Sequence, residues 1–258
     1  MLFLKRWKAS LLILCVMFFS PKGQAYAAHP LVTDDSGTQG KGRYQLELNG
    51  EYGHDKEEGI KTETFDLKAI ISYGLIDNLD LVLTLPYQKI RIKEEDSRAT
   101  SEGISDIDLE VKWRFYEKDG LSFALKPGLT LPTGDEGKGL GTGKVTLSIF
   151  FITTYEHSPW AVHLNGGYIR NENKTNERKD IWHLSLAGTC EVIEDLKLVS
   201  NIGIERNTDR ESKTAPAFIL AGLIYSLSKD LDIDIGVKAG LNEAETDYSI
   251  LAGLTRRF

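Results

Sequence analysis

The chain has 258 residues, 27% of them charged, a formal charge of −7 and two cysteines. An acidic chain is a poor partner for nucleic acid, because binding phosphates takes lysine and arginine. Cys15 lies in an apolar leader, so only Cys190 remains after export and no intrachain disulfide is expected.

Residues 1–27 have the three parts of a cleaved signal peptide. A basic start at 5–8 is followed by an apolar run at 9–20 and by the small-x-small pattern Ala25-Tyr26-Ala27. The apolar run is too short to cross a membrane, which takes about 20 residues. We therefore predict cleavage after Ala27. Cleavage removes four basic and no acidic residues, and the formal charge goes from −7 to −11.

Beyond the leader, stretches of about ten residues alternate between apolar and polar side chains, which predicts strands with two unlike faces. One face carries almost no charge along the whole chain, whereas the other carries charges of both signs. This is typical of a transmembrane β-barrel with lipid outside and water or polar groups inside. Residues 42–258 are thus predicted to be an all-β, antiparallel up-and-down barrel. Twelve strands are expected near 42–53, 62–74, 79–92, 105–116, 121–132, 144–155, 160–170, 181–192, 196–206, 215–227, 231–240 and 248–258.

Tight turns alternate with longer polar loops between these strands, as in bacterial outer-membrane barrels with both termini on the periplasmic side. The predicted long loops include 53–61, 93–104 and 132–143. Aromatic residues flank both kinds of connection, which predicts two girdles at the water–lipid boundaries rather than the mid-strand core of a soluble sandwich. The expected girdles are Tyr73, Phe115, Tyr155, Trp160, Tyr225 and Phe258 beside the turns, and Tyr52, Phe65, Tyr87, Tyr168, Trp182 and Tyr248 beside the loops.

Two local features add to this picture. Pro86 interrupts the third strand, and the apolar parity then moves to Ile90 and Ile92, which predicts a bulge near the outer rim. At the other end, Phe258 closes the last strand and resembles the signal that the barrel assembly machinery reads.

The polar parity of the strands predicts the lumen, with eleven acids against nine bases. Hairpin register is expected to place Glu47 opposite Lys68. These charges either fill a narrow barrel with salt bridges or line a water path, and both alternatives stay open. The predicted lumen-lining residues are Arg43, Glu47, Asp66, Lys68, Asp106, Asp108, Glu110, Lys112, Arg114, Lys126, Asp232, Asp234 and Lys238.

Residues 28–41 are predicted to be a periplasmic N-terminal segment that could plug the lumen. Apolar side chains on two strands point inward against the general rule. They either pack on this segment, through residues 30–32, or form an apolar stripe for an amphipathic solute, and we favour packing. These inward apolar residues are Phe150, Ile152, Phe218, Leu220 and Ile224.

No catalytic, cofactor-binding or metal site is predicted. The glycine-rich stretch 137–144 lacks the spacing of a phosphate loop. His163 and His183 face inward on neighbouring strands, but their offset of about four residues separates them by about 13 Å, too far for a shared metal ion. We therefore predict no cofactor and no enzyme.

Three stretches carry a family resemblance: His29-Pro30-Leu31-Val32-Thr33-Asp34-Asp35-Ser36-Gly37-Thr38, Gly103-Ile104-Ser105-Asp106-Ile107-Asp108-Leu109, and Leu131-Pro132-Thr133-Gly134-Asp135 with Gly139-Leu140-Gly141-Thr142-Gly143. Together they resemble the family of outer-membrane transporters named after the MetA pathway of phenol degradation. The resemblance implies a signal peptide, an outer-membrane barrel and transport, with no functional residues to carry over.

The leading hypothesis is a monomeric channel for small solutes in the outer membrane of a Gram-negative bacterium, with weak cation preference. Its expected partners are outer-membrane lipid, the barrel assembly machinery during biogenesis, and the small-molecule solutes. The alternatives are a plugged barrel with a structural or surface-binding role and an outer-membrane lipid-modifying enzyme.

Overall fold

The computed structural model describes residues 29–57, 59–95 and 97–258, so the predicted leader and its cleavage site lie outside the described residues. Within these ranges, no helix has the length and apolar character needed to cross a membrane. The elements are β1 (Tyr44–Glu57), β2 (Ile60–Ile76), β3 (Leu79–Glu94), β4 (Ser97–Ile104), β5 (Ile107–Lys118), β6 (Leu121–Leu131), a 3-10 turn (Glu136–Lys138), β7 (Thr146–His157), β8 (Trp160–Arg170), β9 (Asp180–Ile193), β10 (Leu196–Glu205), β11 (Ala217–Ser228), β12 (Leu231–Gly240) and β13 (Tyr248–Arg257).

The strands form one closed antiparallel sheet. Sequential strands pair with each other except β4 and β5, and β1 pairs with β13 to close the ring. Both β4 and β5 pair with β3, so they are two parts of one barrel strand. The described residues therefore form a 12-stranded antiparallel barrel, which confirms the predicted fold class.

The alternation of the sequence fixes which side of each strand faces out. On β12, the side chains of Asp232 and Asp234 are buried, whereas Ile233, Ile235 and Val237 are exposed. This is the reverse of a soluble protein, in which apolar groups go inside. A strand with its apolar side exposed and its charged side enclosed suits a barrel that is surrounded by lipid.

The aromatic girdles lie on the outer surface as predicted. Tyr73 and Trp160 are exposed beside short turns, and Phe65 and Trp182 are exposed nearer the other rim. Rings at these two levels suit the two headgroup layers of a membrane, since amphipathic aromatic side chains prefer the interface.

The ring closes at a seam between β1 and β13. The backbone N–H of Phe258 donates to the Tyr44 carbonyl (2.9 Å), and the Tyr44 N–H donates to the Phe258 carbonyl (3.3 Å). The two rings stack with centroids 4.6 Å apart, and the Arg256 guanidinium lies 5.6 Å from the Phe258 ring. Phe258 therefore holds the first and last strands together at the short-turn end.

Deleting Phe258 should leave more protein in the periplasm, because the seam loses two hydrogen bonds and a stacked aromatic pair. Heat-modifiable gel mobility of the membrane fraction measures folded barrel. Tyr225→Ala is the control, since it removes a ring from the same girdle without touching the seam. Normal membrane yield and normal heat-modifiable mobility after deletion of Phe258 would contradict this prediction.

The strands near the outer rim differ from the sequence prediction. The predicted loops 53–61 and 93–104 are instead largely strand, because β1 continues to Glu57 and β2 begins at Ile60 after a tight turn, and because β3 continues to Glu94 and β4 begins at Ser97. β2 has 17 residues and β3 has 16, against 10 for β12, so this hairpin pair stands beyond the rest of the barrel.

The predicted bulge at Pro86 lies on the neighbouring strand instead. β2 and β3 pair without interruption through Lys68↔Pro86. Opposite Pro86, the partner strand breaks between Ile104 and Ile107, and the Ser105 N–H donates to the Pro86 carbonyl (2.9 Å). In an antiparallel sheet, the N–H and C=O of one residue point to the same neighbouring strand. The N–H that proline lacks would therefore have pointed to the irregular stretch between Ile104 and Ile107, so no regular hydrogen bond of the sheet is lost. Without a bulge in β3, the strand keeps its parity, and Ile90 and Ile92 face inward.

Candidate functional site: the lumen and its N-terminal segment

Residues 29–41, called the N-terminal segment below, run through the inside of the barrel and contact its wall at β12 and at β3. At one end, the Gln39 N–H donates to the Asp80 carboxylate on β3 (2.9 and 3.2 Å). At the other end, His29 Nδ1 lies 2.5 Å from Asp234 Oδ1 on β12. A segment bound to the wall at both ends divides the lumen.

The centre of the segment is held by charge. The Asp34 carboxylate lies 2.8 Å from Lys112 Nζ on β5 and 3.2 Å from Lys126 Nζ on β6, and Lys126 also contacts Glu110 at 2.9 Å. Burial alone would raise the pKa of the Asp34 carboxyl, but the two lysines hold that pKa well below its usual range. Asp34 is therefore ionised and paired.

An asparagine on β10 binds the segment's backbone. Asn201 Oδ1 accepts the N–H groups of Val32 (2.8 Å) and Thr33 (3.0 Å), and Asn201 Nδ2 donates to Thr33 Oγ1 (2.7 Å). Asn201 is buried, so losing these bonds would leave buried polar groups without partners. The sequence prediction missed this residue, although an amide at an inward position among apolar residues was a signal.

Hydroxyl groups bind the segment farther along. The Ser36 N–H donates to Thr154 Oγ1 on β7 (3.0 Å), and the Ser36 hydroxyl pairs with that of Ser122 on β6 (2.6 Å). All three side chains are buried. They too were missed, since inward serine and threonine look alike whether they meet water or another segment.

Two of the inward apolar side chains lie beside the same segment. Phe218 and Leu220 on β11 form a buried cluster with Leu251 on β13, and Leu31 packs against it. The contact favours packing over the alternative of an apolar stripe left open to a solute.

A cavity of about 360 Å³ remains between the N-terminal segment and the wall made by β1, β2, β3, β5 and β6. Eight carboxylates and three lysines line it, and it brings together seven of the predicted lumen residues. Those seven are Glu47, Asp66, Lys68, Asp108, Glu110, Lys112 and Lys126.

The predicted pair of Glu47 and Lys68 is wrong in register. Lys68 lies opposite Asn49, and Glu47 lies opposite Ile70. The turn near residue 59 is tight, which shifts the pairing by two residues from that expected of a long loop. Glu47 instead accepts hydrogen bonds from Gln45 (2.8 Å) and Asn49 (3.4 Å).

Three other predicted lumen residues form ion pairs at different levels of the barrel. Lys238 Nζ lies 3.0 Å from Glu51, Asp232 lies 2.5 Å from Arg257, and Arg114 lies 3.2 Å from Glu117. Arg43 lies one residue before β1 and is exposed, and its place in the lumen stays a prediction. Its sequence position fits the strand parity, but the chain turns at Gly42.

Asp106 organises an outer loop. Its carboxylate accepts the N–H groups of Gly134 (2.9 Å) and Thr142 (2.8 Å) and the Thr142 hydroxyl (3.0 Å). Nearby, the Ser105 hydroxyl donates to the Leu140 carbonyl (2.6 Å). Asp106 thus ties loop 132–145 to the bulge beside Pro86 instead of lining a pore.

Glycine is required where this loop meets Asp106. A Cβ on Gly134 would clash with the Leu140 carbonyl, and one on Gly141 would clash with the Asp106 carboxylate. The second and third stretches of the family resemblance therefore meet in space, and the first stretch is the N-terminal segment.

A closed barrel with an apolar, aromatic-girdled exterior and a charged interior defines the class of outer-membrane, porin-like β-barrels. A family model described as "Putative MetA-pathway of phenol degradation" matches residues 27–258. The chain belongs to that family, as the resemblance of its three stretches predicted. No curated protein matches the chain.

Solved structures of bacterial outer-membrane barrels share this fold. An outer membrane channel from Pseudomonas putida F1 is 15% identical, with 87% of this chain and 98% of that chain covered and a TM-score of 0.69. The KdgM porin is 8% identical, with 83% and 99% covered and a TM-score of 0.57. The translocator domain of the autotransporter NalP from Neisseria meningitidis is 12% identical, with 85% and 90% covered and a TM-score of 0.53. At identities this low, the similarity shows only that the folds are alike.

Proposed function

We propose that this protein is a monomeric channel for small polar solutes in the outer membrane of a Gram-negative bacterium, where the barrel assembly machinery inserts it. Solutes pass between the N-terminal segment and the wall of β1, β2 and β3. The observation that carries the proposal is the polar cavity of about 360 Å³ beside the segment. A barrel that served only as a scaffold would gain more from filling this space with packed side chains.

The charges of this cavity favour cations. Eight carboxylates against three lysines leave an acidic excess, and four of the carboxylates are already paired with lysine. Glu47 and Asp66 are cavity carboxylates without a lysine within ion-pair distance among the described residues. Carboxylates without a basic partner set cation selectivity in pores.

Under a salt gradient, the reversal potential should have the sign of cation preference. The double variant Glu47→Gln/Asp66→Asn should reduce that preference, because it removes two negative charges from the path. Glu194→Gln/Asp195→Asn is the matched control, since it removes the same charge from an exposed turn. Anion selectivity of the unaltered protein, or equal loss of preference in both variants, would contradict the proposed path.

A second candidate function is favoured by the N-terminal segment itself. Its bonds to β3, β5, β6, β7, β10 and β12 could keep the lumen shut, leaving a plugged barrel that works through its surface. The two functions differ in conductance, which the plugged barrel would lack.

A further inference from the structure

The hairpins beyond the outer rim carry a basic outer surface, called the basic face below. Its members alternate along β1 to β4, and all lie on the side of the sheet that continues the lipid-facing surface. Its members are Lys56, Lys61, Lys89, Arg91, Lys93 and Arg98.

Strand register establishes which side these residues share, because directly opposed residues lie on the same face. Lys89 is opposite Phe65, and two residues earlier Tyr87 is opposite Leu67. Phe65, Leu67 and Tyr87 are exposed on the outside of the barrel. Since β3 has no bulge, Arg91 and Lys93 continue the same side.

The basic face begins directly above the outer aromatic girdle. Tyr87 belongs to the girdle, and Lys93 lies six residues farther along β3, about 20 Å at 3.3 Å per residue. Basic side chains therefore start at the expected headgroup level and extend away from the hydrocarbon layer.

Among the residues that the structure describes, two acids lie on this face, and each is paired with a lysine. Lys61 contacts Glu63 at 2.8 Å, and Lys89 contacts Glu102. Like charges also face each other: Lys93 lies directly opposite both Arg98 and Lys61, and Lys56 lies opposite Lys61, whereas Arg91 lies opposite Glu63. Like charges directly opposed are destabilising.

We propose that the basic face binds the phosphate-bearing headgroup of an outer-leaflet glycolipid of the lipid A type. Phosphate oxygens accept charge-assisted hydrogen bonds from arginine and lysine and would relieve the opposed charges. On a chain with a formal charge of −7, such a local excess of base is complementary to an anionic surface. The inference rests on the proposed outer-membrane location but not on conduction.

The test is native mass spectrometry of the full-length mature barrel in a neutral detergent, titrated with bisphosphorylated lipid A. The triple variant Arg91→Gln/Lys93→Gln/Arg98→Gln should bind lipid A at least about tenfold more weakly, and lipid A without phosphates should bind the unaltered protein as weakly. Binding to the unaltered protein should also fall with salt, because exposed charges are screened.

The control triple is Lys118→Gln/Lys213→Gln/Lys229→Gln, which removes the same charge from exposed positions in connections and at the end of β5 and should bind lipid A normally. Equal affinity of both triples, equal binding of dephosphorylated lipid A, or displacement by an equal concentration of inorganic phosphate would overturn the proposal. Heat-modifiable mobility verifies that each variant folds, and salt-independent binding of the unaltered protein would overturn the proposal without any variant. The first triple should retain normal conductance, because its residues lie outside the lumen. Conductance therefore tests the channel proposal, and lipid A binding tests the basic face independently of it.

Discussion

Asp106→Ala should free loop 132–145 and make Lys138 accessible to trypsin. The substitution removes the acceptor of three hydrogen bonds and leaves the N–H groups of Gly134 and Thr142 without their partner. Each hydrogen bond to a charged group contributes about 1.5–3 kcal/mol. Even one such loss should raise the population of the open loop about tenfold or more, and cleavage follows that population.

The rate of cleavage after Lys138 in the folded barrel measures this effect. The cleavage rate of Asp106→Asn should lie between those of the unaltered protein and of Asp106→Ala, because the asparagine side chain keeps an acceptor oxygen. Asp108→Ala is the matched control, because the Asp108 carboxylate bonds to Thr130 on β6 rather than to the loop. Unchanged cleavage in Asp106→Ala would show that other contacts hold the loop.

Asp34→Ala should loosen the N-terminal segment and increase conductance. Without the carboxylate, Lys112 keeps only the more distant Asp35 at 3.7 Å, while Lys126 keeps Glu110 at 2.9 Å. Breaking a buried ion pair costs about 3–5 kcal/mol. Because the lysines are not fully buried, we expect the segment to lose about 2 kcal/mol of binding free energy to the lumen.

Single-channel recording in a planar bilayer checks this expectation, with larger or more frequent openings for Asp34→Ala. Asp35→Asn is the control, since it removes a neighbouring charge that lies farther from Lys112. The same current from Asp34→Ala and the unaltered protein would mean that Asp34 does not hold the segment in place.

The barrel could be predicted from the sequence because its physical cause is local. Lipid outside and charge inside impose a period of two on every strand, as at Ile233, Asp234 and Ile235, and the headgroup layers select the aromatic girdles. These patterns need no knowledge of which residues meet across the lumen.

The outer rim was harder to predict because, beyond the membrane, charged side chains face outward and apolar side chains face inward. In residues 89–93, the basic residues face outward and Ile90 and Ile92 face inward, so the change of parity resembled a bulge. The strand had left the lipid while keeping its geometry. The predicted loops 53–61 and 93–104 were wrong for the same reason.

The contacts inside the barrel could not be predicted from parity alone. Asp106 and Asp108 share an inward position on the sequence pattern, yet one binds a loop and the other binds a strand threonine. Likewise, nothing local pairs Asn201 with residues 32 and 33, which are about 170 positions away. Such contacts depend on where the N-terminal segment crosses the lumen.

Conductance with and without residues 29–41 tests the central claim most directly. Both proteins are recorded singly in planar bilayers after heat-modifiable mobility has shown that each barrel is folded. We expect small cation-preferring currents from the complete chain and currents several times larger from the deletion variant, because the segment occupies much of the lumen. Absence of current from both folded barrels would contradict the channel proposal, and the plugged structural barrel would take its place.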